Sequence, residues 1–126
     1  MHVPDGFLDA PTSLATAALA VVGVGAALRG ARRELDDRTA PMAGLVAAFV
    51  FAGQMINFPV GAGTSGHLIG AALAAVLVGP WTGVLCMSVV LIVQSLLMAD
   101  GGITALGTNI TLMGVIGVGV ATLVVG

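Results

Sequence analysis

All four positive charges of this chain, Arg29, Arg32, Arg33 and Arg38, fall between residues 29 and 38, and no lysine occurs anywhere. A soluble domain spreads charge over its whole surface and carries about 25% charged residues. Here the charged share is 8%, against 58% hydrophobic. No water-facing surface can be closed when the cations sit in one short stretch, so the solvent for most of the chain is lipid. The reading is an all-α integral membrane protein: one domain, a bundle of about five transmembrane helices. Glycine, at 19 of 126 residues, suits helices that approach closely in a bilayer.

Connectors divide the chain into an N-terminal segment, 1–11, and spans at about 12–28, 40–58, 65–79, 81–98 and 103–126. Pro11-Thr12-Ser13 offers a start for the first span. Pro59 and the run from Gly61 to Gly66 end the second. The segment 65–79 is short, and is expected to start in a cavity or re-enter the membrane. Gly79-Pro80 closes it, and Trp81 begins the next span, where its ring suits the interface. The positive-inside rule puts the arginine stretch in the cytoplasm. A multi-pass protein of the cell membrane follows, with its N-terminus outside. Met1–Asp9, Asn57–His67 and Asp100–Gly102 then share the outer side. Met1 to Asp9 has no basic residue, so it lacks the n-region of a signal peptide, and Met1 is expected to remain the terminus. Cys86 stands alone, which leaves no disulfide or cysteine zinc site and predicts an inert buried thiol.

The chemistry gathers on two histidines. His2 follows Met1, so a free terminus offers three nitrogens in one chelate: the Met1 amine, the deprotonated His2 main-chain nitrogen and the His2 imidazole. Peptide planarity holds them nearly coplanar, which suits Ni(II) or Cu(II) and not the oxygen-seeking Mg²⁺ or Ca²⁺. His67, the other histidine, lies on the same predicted side and supplies a fourth nitrogen. Against this stand a frayed terminus at His2 and a helix-capping role for His67. Gly63-Thr-Ser-Gly66 resembles the serine loop of rhomboid proteases, but no histidine follows His67 to act as base. Asp100 reads as a solvated turn residue. Gln94 and Asn109 should face the bundle, because an unsatisfied amide in lipid is costly.

Met1-His-Val-Pro-Asp-Gly-Phe-Leu8, Phe58-Pro-Val-Gly-Ala-Gly-Thr-Ser-Gly-His67-Leu68 and the stretch from Gln94 through Asp100-Gly-Gly to Asn109 occur in order along the chain. Together they resemble the signatures of the cobalt- and nickel-specific substrate-binding subunits of energy-coupling-factor (ECF) transporters, the CbiM/NikM family. The resemblance implies a non-enzymatic subunit that imports Co²⁺ or Ni²⁺ as cargo and has no resident cofactor. By the same resemblance the ion is held by nitrogens of Met1, His2 and His67; our own expectation adds Asn57, Thr64, Ser65, Gln94 and Asn109 as supporting residues that orient the ligands. The implied partners are a transmembrane coupling subunit, two ATPase subunits and, in some systems, a small accessory membrane protein. Lipid surrounds the chain, and no nucleic acid is involved. The chain has no Gly-x-x-x-x-Gly-Lys-Ser/Thr motif, so ATP hydrolysis is left to partners. Family members are usually longer, with further spans after this point. The donor set accepts both cobalt and nickel. A small structural or assembly membrane protein is the alternative reading.

Overall fold

A computed structural model describes residues 2–126. The order of elements is α1 (Ala10–Glu34), α2 (Thr39–Met55), β1 (Phe58–Gly61), β2 (Thr64–Gly66), α3 (Ala71–Val78), α4 (Pro80–Leu97) and α5 (Leu106–Val125). Three of the helices, α1, α4 and α5, are long and apolar enough to cross a bilayer. The last of these is π-helical from Ile110 to Ile116.

The first helix starts earlier and ends later than its apolar run suggests. Asp9, not the Pro11-Thr12-Ser13 group, is its N-cap, accepting the Thr12 N–H at 2.9 Å. Such a cap satisfies a donor that the first turn leaves orphaned. The far end includes Arg29, Arg32 and Arg33, so most of the expected arginine loop is the last turns of α1. Arg32 and Arg33 there sit at the negative end of the helix dipole. At about 1.5 Å per residue, the 25 residues of α1 separate this basic end from the histidine end by the thickness of a membrane.

The segment 65–79 departs most from the span expected there. The chain stays extended through Gly66, where β2 pairs antiparallel with β1 (Phe58 opposite Gly66, Pro59 opposite Ser65). Helix begins only after Gly70, whose φ of +85° suits a residue without a side chain. The resulting α3 has 8 residues and rises about 12 Å, well short of the roughly 30 Å hydrocarbon core. It lies against the bundle, burying Ala71, Ala74 and Val78.

Helix α4 is the centre of the bundle. It buries Val84, Cys86, Met87, Val90 and Leu91 along with Gln94 and Ser95. Ala27 of α1, Val46 and Val50 of α2, and Val118 of α5 pack with it in one core cluster. Cys86 is buried and donates to Ala43 O at 3.4 Å, which agrees with a structural thiol. Outward faces are apolar: Leu14, Leu97 and Leu123 are 72%, 77% and 84% exposed. Exposed apolar surface on this scale is a lipid-facing surface.

Polar contacts also lock helix to helix. Thr16 and Thr108 share a hydroxyl contact at 2.6 Å, and Thr111 donates to Thr16 O at 3.0 Å, joining α1 to α5. At the basic end, the Glu34 carboxylate accepts the N–H groups of Trp81 and Thr82 at 3.2 and 2.7 Å. The last residue of α1 thereby caps the first turn of α4. Glu34→Ala is expected to cost about 1 kcal/mol, the usual worth of a cap. It should lower the melting temperature in detergent by a few degrees while leaving the histidine end of the bundle unchanged.

Candidate metal centre

The two histidines meet. Their ring centroids stand 5.0 Å apart, with planes inclined by 32°. Two imidazoles sharing one ion at about 2.0–2.1 Å per nitrogen would place their centroids about 4.5–6.5 Å apart. The observed separation falls within that range.

His67 is in ligand form. It follows β2 on the irregular stretch before α3, and its Nδ1–H donates to Leu68 O at 2.7 Å. Nε2 is buried and has no partner among the described residues. A main-chain carbonyl on one ring nitrogen sets the tautomer and leaves the lone pair on the other. An unpartnered buried nitrogen costs free energy, and an ion is the partner that would recover it.

His2 is buried, with a contact at each ring nitrogen. Nδ1 lies 2.9 Å from Asp100 Oδ1, and Nε2 lies 3.3 Å from Gln54 Oε1. Gln54, fully buried on α2, is oriented by its own amide N–H, which donates to Ile69 O at 2.6 Å.

The N-terminal segment reaches the bundle through a set of polar anchors. Asn109 acts as a two-way clamp: Oδ1 accepts the Val3 N–H at 2.9 Å, and Nδ2 donates to Val3 O at 3.2 Å. Gly102 N–H also donates to Val3 O at 2.9 Å. The Asp5 carboxylate takes the Thr104 N–H and hydroxyl at 2.8 and 2.6 Å. Those two bonds hold the Asp5 carboxyl below the usual carboxylate range, the hydroxyl contributing most. Gly102 makes this approach possible, since a Cβ there would fall 2.7 Å from the Pro4 carbonyl carbon and closer still to Asp5 N. Gly102→Ala is expected to push the segment off the bundle and weaken metal capture about 10–100-fold, as for other changes that displace a ligand without removing it. Metal titration with the fold monitored by circular dichroism measures it.

Asn109 is thus brought to the site through Val3. Gln94 is fully buried one turn before the Asp100 turn, and neither atom of its amide group has a partner among the described residues. Asn57 is not brought in: it is exposed, and its amide donates to Met55 O at 3.4 Å. Thr64 and Ser65 lie on β2, exposed and half-buried. Ser65 finds no basic nitrogen, because His67 Nδ1 faces Leu68 O and His67 Nε2 has no partner. Met1, named above as an amine ligand, lies outside the described residues. Asp100 is corrected: it bonds His2 and is only 29% exposed, not a solvated turn residue. Gln54 was missed as a site residue. A polar residue near the end of an apolar span was its one sequence signal, and many such residues only hydrogen-bond between helices.

Among the described residues, no three His, Cys, Asp or Glu side chains gather as a metal-holding group. The candidate centre is instead the pair of imidazoles of His2 and His67.

Comparison with known proteins places the chain in a family. The family described as cobalt uptake substrate-specific transmembrane region, CbiM, matches residues 2–126. The fused nickel transport protein NikMN of Rhodobacter capsulatus is 43% identical over 124 residues, covering 98% of this chain and 36% of that protein. The cobalt transport protein CbiM of Sorangium cellulosum is 43% identical over 120 residues, covering 93% and 53%. The fold is similar to the crystal structure of a transition metal transporter, with a TM-score of 0.88, 35% identity and coverage of 97% of this chain and 54% of that one. That likeness supports the helical membrane bundle read from composition. The chain spans about half or less of the length of these relatives. It belongs to the CbiM family of cobalt uptake substrate-specific transmembrane regions.

Proposed function

We propose that this chain is the cargo-binding membrane region of an importer for Co²⁺ or Ni²⁺, and that it holds the ion through four nitrogens in one plane. These are the Met1 amine, the His2 main-chain nitrogen, the His2 imidazole and His67 Nε2. The observation that carries the reading is His67 Nε2: buried, unpartnered among the described residues and beside a second imidazole. Two imidazoles alone leave a transition metal short of donors. A terminal amine and an adjacent amide nitrogen are what the segment leading into His2 can add. The anchors on Val3 and Asp5 support this by holding the segment just after His2 against the bundle.

The ion is cargo and not a cofactor, and the chain carries out no chemical step on it. Binding needs neutral donors and loss of an amide proton, so loading releases protons. The arginine-rich end of α1 faces the cytoplasm in this reading and the N-terminus lies outside. A coupling subunit and two ATPase subunits of the ECF type drive the import, with an accessory membrane protein in some systems. Fused relatives such as the nickel transport protein NikMN favour a cargo-binding region that works joined to other components.

The test is metal analysis and competition titration of the chain purified with an unmodified amino end. One Co²⁺ or Ni²⁺ per chain, with nitrogen-only donors by X-ray absorption, is the expected result. Absence of metal would favour the structural or assembly role, and oxygen or sulfur donors would remove the planar nitrogen site.

A further inference from the structure

We propose that the outward face at the basic end of α1, carried by Arg29, Arg32 and Arg33, binds the phosphate of an anionic phospholipid. The three residues stand at positions i, i+3 and i+4, a spacing that puts side chains on one face of a helix. All three are exposed. At about 3.6 residues per turn they lie opposite Ala27 and Ala31, which are buried in the bundle. The Trp81 ring lies over Gly30, on the flank of that buried side. Nearer the N-terminus the outward face is apolar, with Leu14, Val21, Val22 and Leu28 exposed. The arginines therefore continue a lipid-facing stripe.

Depth decides the ligand. The helix begins at Ala10, and at about 1.5 Å per residue the stretch to Leu28 uses up the roughly 30 Å hydrocarbon core. The next turn, which holds the arginines, rises about 6 Å, close to the thickness of one headgroup layer. Three guanidinium groups at that depth meet lipid phosphates before they meet a soluble partner. Each can donate two parallel N–H groups to one phosphate. The neighbouring carboxylates are engaged elsewhere. Glu34 accepts the N–H groups of Trp81 and Thr82, and Asp36 accepts those of Arg38 and Thr39, at 2.8 Å each. Asp37 lies in the turn beyond the helix. Among the described residues no arginine is in an ion pair, and the one salt bridge joins His2 to Asp100 at the other end. A headgroup with net negative charge is the complement this face lacks. Neither the metal site nor the choice of leaflet enters the assignment.

Trp81 is the single tryptophan of the chain and stands at this end of the bundle, so it serves as the probe. The full chain is placed in vesicles of phosphatidylcholine and phosphatidylglycerol, with one or the other lipid brominated in its acyl chains. Quenching of Trp81 then reads which lipid is its neighbour. Phosphatidylglycerol is expected to be favoured by at least about fivefold, the contribution of one arginine at a charged surface. Arg29→Gln/Arg32→Gln/Arg33→Gln, checked for its fold by circular dichroism, should bring the two lipids to parity. Arg29→Lys/Arg32→Lys/Arg33→Lys should keep part of the preference, since charge remains and the planar fork is lost. Equal quenching by the two lipids in the wild type would overturn the lipid assignment without any variant, and leave the face to an acidic protein partner. A preference that survives the glutamine substitutions would place the lipid elsewhere. Inorganic phosphate, compared with chloride at equal ionic strength, should leave the preference intact. If it erased the preference, the face would hold a free anion and not a lipid.

Discussion

Placing one residue ahead of Met1, or leaving a formyl group on its amine, is expected to lower Co²⁺ or Ni²⁺ affinity by more than about a hundredfold. Changes confined to the supporting residues of a metal site already cost about 10–100-fold, and with the donor set proposed above this change would remove a ligand and open a chelate ring. It does so without touching the bundle. The core around α4, with Met87 and Val50 fully buried, is built from side chains of the helices. Fold and melting temperature should therefore be unchanged while affinity collapses. Chelator competition on tagged protein and on the same protein after scarless removal of the tag makes the measurement. Equal affinity in the two forms would exclude the amine from the donor set.

His67→Ala is the second large effect expected, again beyond about a hundredfold, with the fold retained. The ring is half-buried on an irregular stretch, and its one hydrogen bond is to its neighbour's carbonyl, so its removal leaves no distant group unpaired. What is lost is a preset lone pair beside His2. Ser65→Ala, two residues earlier on β2, makes a control: with no hydroxyl-to-imidazole bond to break, it should bind metal like wild type. Metal loading and thermal stability measured on both variants separate a ligand from a merely nearby residue. If His67→Ala bound metal normally, the imidazole pair would not be the site. If it lost stability in step with affinity, its role would be packing.

Much of the scaffold was legible from local chemistry. Long apolar runs between Pro, Gly and charge marked α1, α4 and α5, because in lipid a spanning segment must satisfy its own main chain and present apolar side chains throughout. Boundaries were less legible. The end of α1 is charged, with Arg32 and Arg33 in its last turn. An apolar count stops at Leu28, but helix propensity and the dipole do not stop there. The stretch from Phe58 to Gly70 was misread for a related reason. A short apolar run cannot be told apart as strand, helix or re-entrant turn by hydropathy alone, and its hairpin is decided by pairing with itself.

The sequence by itself determined that this chain lives in a membrane, that its cations mark one end, and that its two histidines lie toward the other. Those conclusions follow from residue types and their order, which decide solvation and donor chemistry. Only the tertiary structure decided what each imidazole faces. Asp100 meets His2 across 98 positions and Gln54 meets it across 52, while Asn109 clamps Val3 across 106. Asn57, equally polar and equally near a helix end, turns to its own main chain instead. A hydrogen bond depends on distances of a few tenths of an ångström between helices, and helix packing sets those distances, not the composition of any single segment.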